Sequence, residues 1–224
     1  MAVLTPADLR RLFALLNEEL RASGTEGELF LVGGAVMCLA YAVRPSTADV
    51  GGWFRPPEKV REAAARVALR AHVAPDWLND AVKGFMSTQG DFAPFMEFDH
   101  LRIMVAQPEY LLAMKALAMR IGAEFHDEED VRYLLRHLDV SYEQALAILT
   151  KYYPLERFPQ KTLYALEELL GTRVERARPQ HALSLIGGGA RSPVRAPLRP
   201  QGDRPSQIRI VRADSARGPP LLAA

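Results

Sequence analysis

Cysteine is nearly absent from this chain: Cys38 stands alone among 224 residues. One thiol forbids an intrachain disulfide and excludes a multi-cysteine zinc site. No run reaches the roughly 18 apolar residues that a membrane-spanning helix needs, and the N-terminus lacks the basic-then-apolar pattern of a secretory signal. A reducing cytoplasm, with no membrane partner, is the expected setting. Net charge is also small, at +1, but it is segregated. Seven Arg and two Asp put +5 on residues 190–224, which leaves −4 on 1–189. A mildly acidic body offers no basic face for nucleic acid.

Residues 190–224 lack any aromatic side chain and hold six of the sixteen prolines. Such a segment buries too little apolar surface to offset its ordering entropy, so a disordered basic tail is expected over 187–224. Within it, Ile208-Arg209-Ile210-Val211 is able to pair with a sheet edge. The five histidines show no metal-ligand spacing.

What remains is enough for one sizeable core. Thr5-Pro6-Ala7-Asp8 reads as a capping box opening a helix whose Leu9, Leu12, Phe13, Leu16 and Leu20 share a face. Glu28 to Val32 reads as a strand, Gly33-Gly34 as a turn and Ala35 to Val43 as a helix. Arg44-Pro45 ends that helix, because the residue before proline is pushed out of helical geometry. Ala48 to Phe54 reads as a second strand with Asp49 inside it, an unusual place for a carboxylate. A helix follows Pro56-Pro57, and a short helical turn or a loop spans Pro75 to Val82. Met86 to Pro94 reads as a connection and Phe95 to Val105 as strand, in one piece or two. Helices follow from Pro108, from Asp127, from Ser141 (a second capping signal with Gln144) and from Pro159 to Leu170, the last ending at Gly171. The expected fold class is α+β: a small mixed sheet with flanking helices over 1–107, then a helical part of the same domain over 108–175.

Gly33 and Gly34 after a strand let backbone amides approach a ligand closely, although a tight turn needs them equally. They form neither a P-loop nor a dinucleotide fingerprint. Lys115 lies in the apolar run Leu111–Met119 and either snorkels outward or serves a site. Asp127 and Asp130, spaced i, i+3, share a helical face; their place at a helix start fits N-terminal charge compensation as well.

Taken in order, the Gly33-Gly34 turn and the Arg44-x-Ser46-Thr47-x-Asp49 approach to a strand resemble the nucleotidyltransferase superfamily. The likeness is to the toxin-like branch related to the AbiEii bacterial abortive-infection toxins. Lys115, Ala118 and Arg120 resemble that branch's Lys-x-x-Ala-x-Arg pattern, and Asp127 with Asp130 resembles the acid pair after it. The resemblance implies a nucleotidyltransferase-like fold, a nucleoside triphosphate with Mg²⁺, and an RNA or protein acceptor. It also implies, for many such toxins, a neutralising antitoxin. It implies that Gly33, Gly34, Ser46 and Thr47 meet phosphate, that Lys115 and Arg120 meet its charge, and that Asp49 binds metal.

One departure stands out. The branch places a second carboxylate two residues after the first, and here that position is Gly51. Either a later acid completes the metal site, with Asp99 or Glu97 as candidates, or the activity is impaired. The alternative is a non-catalytic nucleotide- or partner-binding module of the same fold.

Overall fold

The computed structural model describes residues 3–120, 126–176 and 209–210. Helix α1 (Pro6–Ala22) starts on the capping box its sequence announces. Thr5 Oγ1 accepts from the Asp8 amide at 3.2 Å, and Asp8 Oδ2 accepts from the Thr5 amide at 3.0 Å. Both satisfy donors that a helix start leaves orphaned.

Strand β1 (Gly27–Leu31) leads into α2 (Gly33–Leu39), then β2 (Val50–Arg55) and α3 (Pro57–Ala71). A two-residue β3 (Leu78–Asn79) and a 3₁₀ turn (Ala81–Phe85) follow. Strands β4 (Phe92–Glu97) and β5 (Leu101–Ala106) form a hairpin. The helical part is α4 (Pro108–Leu117), α5 (Asp127–Leu138), α6 (Tyr142–Tyr152) and α7 (Gln160–Arg176).

The architecture is α+β on a mixed sheet. Its order is β3-β2-β1-β5-β4, with a two-residue β6 (Arg209–Ile210) on the outer edge of β4. Central β1 pairs antiparallel with β2 and parallel with β5. Alternate residues of β1 are buried, and a Cβ on Gly27 would lie 2.7 Å from Leu20 Cδ1 and 3.6 Å from Val60 Cγ2. That face therefore packs under α1 and α3. The other face carries Phe30, Trp53 and Phe92 in ring contact, with Phe30 5.0 Å from Trp53 and 5.3 Å from Phe92.

One continuous apolar cluster runs from Leu4 to Leu170, so the sheet part and the helical part share a core. Cys38 sits in it as a buried small hydrophobe. Ser141 caps α6 in a second reciprocal box with Gln144. No helix among the described residues is long and apolar enough to cross a membrane.

Several boundaries differ from expectation. The helix after β1 begins at Gly33 rather than Ala35; Gly33 itself takes φ +66°, a left-handed value open to glycine, at the turn from β1 into α2. Of the two forms expected for Phe95 to Val105, the two-piece one is found, with a turn at Asp99-His100, but β4 starts earlier, at Phe92. Leu78–Asn79 pairs with Val50–Gly51 as a strand too short to show any alternation. Gly171 does not stop the last helix, which continues to Arg176. Of the 187–224 segment expected to be disordered, all but Arg209–Ile210 lies outside the described residues.

Candidate functional site

Three elements meet here: the loop after α2, helix α4 and the start of α5. Asp130 is fully buried on the inner face of α5, one turn before Leu134. A buried carboxylate demands partners. Arg44 supplies two, its Nε donating to Oδ1 at 2.8 Å and its Nη2 to Oδ2 in a forked pair. Lys115 Nζ, from α4, lies 2.6 Å from Oδ2. The Lys115 side chain is only 11% exposed, so it does not snorkel to water.

Asp127 stands one turn earlier on the same face. It accepts from Arg120 Nε at 2.9 Å and from the Arg120 amide at 3.3 Å, with Lys115 Nζ 3.6 Å away. The four residues Lys115, Arg120, Asp127 and Asp130 thus form one contiguous ion network, and Arg44 joins it from α2's side. In the sequence Arg44 was legible as a helix terminator and as the first residue of the Arg44-x-Ser46-Thr47-x-Asp49 pattern, not as the partner of Asp130. Its partner was the missing signal: Asp130 sits where an apolar stripe on α5 requires a neutralised side chain.

Burial pushes the Asp127 carboxyl upward, but the hydrogen bond from Arg120 and the nearby Lys115 charge more than offset this, leaving it below its ordinary value. A carboxyl depressed in the folded state stabilises above its unfolded value, near 3.8, and that contribution is lost as pH falls through the folded value. Urea unfolding followed against pH is therefore expected to show Asp127→Asn less stable than the native chain at neutral pH. The gap should close below about pH 4. A gap independent of pH would place the loss in packing instead.

The glycine turn touches this network. A Cβ on Gly34 would stand 2.6 Å from Thr47 Oγ1 and 3.6 Å from Arg44 Nη1. Glycine at 34 therefore lets the Arg44–Thr47 loop close over the start of α2. A Cβ on Gly33 would meet nothing within 4 Å, so its requirement is conformational. Thr47 is buried and its hydroxyl donates to the Asp49 carbonyl at 3.1 Å, while Ser46 is half-buried in the same loop.

Asp49 corrects the strand reading. It precedes β2 and is exposed, and its Oδ2 accepts from Asn79 Nδ2 at 2.9 Å. Gly51, where the second carboxylate would stand, is half-buried, and a Cβ there would lie 3.2 Å from Cγ1 of the half-buried Val82 in the 3₁₀ turn. The later acids do not compensate. Register aligns Arg55, Glu28, Arg102 and Glu97 in one row across β2, β1, β5 and β4. Asp49 lies six positions before Arg55. Along the strand direction that is roughly 20 Å. Glu97 and the exposed turn residue Asp99 therefore occupy the opposite end of the sheet, and Asp99 does not share a strand face with Glu97.

Among the described residues, no group of three or more His, Cys, Asp or Glu side chains is placed to hold a metal ion. Mg²⁺ needs several oxygen ligands in near-octahedral array. One exposed carboxylate beside a glycine under Val82 does not fit it.

No family model, no curated protein and no solved structure matches this chain. Three cations (Arg44, Lys115, Arg120) surround two carboxylates (Asp127, Asp130), so the network carries one net positive charge beside a glycine turn.

Proposed function

We propose that this chain is a nucleotidyltransferase-like module that binds a nucleoside triphosphate and does not transfer it. The observation that carries this reading is Gly51 under Val82, which leaves Asp49 without the partner that metal-assisted transfer needs. Phosphate recognition rests on the backbone of Gly33 and Gly34, on the Ser46 hydroxyl, on Thr47 once its bond to the Asp49 carbonyl is exchanged, and on the one net positive charge of the network once Arg44 is counted with Lys115 and Arg120.

Calorimetric titration with each nucleoside triphosphate, with and without Mg²⁺, tests it. Binding is expected in both conditions and should weaken at least tenfold in Lys115→Met, with thermal melting used to confirm that the variant folds. Absence of binding to the native chain would remove the reading.

A second reading is an active transferase acting on an RNA or protein acceptor, in a toxin–antitoxin setting. Its support is the assembly of Lys115, Arg120, Asp127 and Asp130 into one network in the order that the resemblance implies. Labelling of RNA or protein by the native chain would decide for it.

A further inference from the structure

The chain leaves α2 through a strained turn. Ala42 takes φ +52°, a left-handed value that residues other than glycine seldom adopt, and the Val43 amide donates back to the Met37 carbonyl at 3.0 Å. Such backbone persists only where its surroundings hold it. Here both sides of the turn are held by α5. Before it, the Tyr41 ring lies 5.7 Å from Tyr133 and 5.3 Å from His137. After it, Arg44 forks onto Asp130. Asp130, Tyr133 and His137 recur at helical spacing, so they share one side of α5.

This side is a strip with two unlike ends. One end is the ion network. The other is aromatic, with Tyr133 and His137 near parallel at 5.8 Å between ring centroids and Tyr41 set against both. Tyr41 and Tyr133 are half-buried and His137 is exposed, which leaves ring surface open to a ligand. Tyr133 stands only about 4.5 Å along the helix axis from Asp130. Arg44 joins the strip to the glycine turn. Its fork engages Nε and Nη2, while Nη1 is turned to Gly34, 3.6 Å from where a Cβ there would stand.

We propose that Tyr41, Tyr133 and His137 form the base-binding end of the nucleotide site, the base stacking on these rings while the triphosphate lies toward Arg44 and Gly34. This rests on the nucleotide-binding reading above and extends it from the phosphates to the base. Stacking reads a π face rather than a base edge, so all four bases are accepted. Purines, with the larger face, bind tighter than pyrimidines.

Calorimetry of the full chain with each nucleoside triphosphate and with inorganic tripolyphosphate tests this, alongside NMR of the base protons. ATP is expected to bind the native chain about tenfold tighter than tripolyphosphate, with its base protons shifted upfield by the ring currents. Tyr133→Leu and His137→Ala should each weaken ATP by roughly fivefold or more, reduce the upfield shift and leave tripolyphosphate unaffected. Tyr133→Phe keeps the ring and should stay near the native affinity; thermal melting confirms that each variant folds. Equal native affinity for ATP and tripolyphosphate would overturn the proposal and leave phosphate binding standing. A loss in Tyr133→Leu that is the same for both ligands would also overturn it, because the rings would then serve packing alone. Binding of neither ligand would remove the nucleotide-binding reading itself, and this proposal with it.

Discussion

Asp130→Ala is expected to lower stability to urea by about 3–5 kcal/mol, a loss typical when one member of a buried ion network is removed. The reason is local. Arg44 and Lys115 both direct their charge at a carboxylate with no exposure at all, and with it gone two largely buried cations face each other. Asp130→Asn keeps the shape and should lose less, because the amide oxygen still accepts one bond. Lys115→Met alone leaves the Arg44 fork intact and should also fall short of Asp130→Ala. If instead Asp130→Ala unfolds within about 1 kcal/mol of the native chain, the network is screened by water and contributes little more than a surface pair.

Gly51→Asp carries the second large effect, on both stability and activity. A new Cβ would stand 3.2 Å from Val82 Cγ1, and a carboxylate beyond it would have to displace that side chain or be desolvated beneath it. The single variant is expected to lose about 1–3 kcal/mol by thermal or urea unfolding and to label no acceptor with radiolabelled nucleotide. Pairing it with Val82→Ala should recover most of the stability by opening room over position 51. Labelling by the double variant, absent from the native chain, would mean that the second carboxylate and the space for it were all that transfer lacked. A Gly51→Asp chain as stable as the native one would show that the 3₁₀ turn gives way freely, and Val82 would then be no barrier.

Both results depend on contacts that no stretch of sequence displays. The helices were legible because their signals are local. Thr5 with Asp8 and Ser141 with Gln144 are reciprocal caps written within three residues, and both form as read. The apolar face of α1 was legible for the same reason, since 3.6-residue periodicity is a property of the chain itself. Strand ends were less so. Leu78–Asn79 pairs with β2 through backbone bonds alone, and Phe92 joins β4 because β5 lies beside it, neither of which leaves a mark in residue type.

The candidate site divides along the same line. Lys115, Arg120, Asp127 and Asp130 were readable as an ordered set only through the resemblance; helical spacing by itself puts Asp127 and Asp130 on one face of α5. That Arg44 closes the set across 86 positions was not readable, because no spacing rule reaches so far. Asp49 was misplaced by two residues of strand boundary, enough to turn an assumed mid-strand carboxylate into an exposed loop residue bonded to Asn79. Asp99 failed for a larger reason. Its suitability depended on which end of the sheet it joined, and strand direction is set by pairing partners rather than by the strand's own sequence.

By itself, then, the sequence determined the helices and their caps, which follow from neighbours within a turn or two, together with the exclusion of an intrachain disulfide and the segregation of charge. Tertiary structure alone decided which acids meet which cations, and that Val82 covers Gly51. Those facts come from strand register and helix docking, where energy depends on residues far apart in the chain meeting at a distance of a few ångströms.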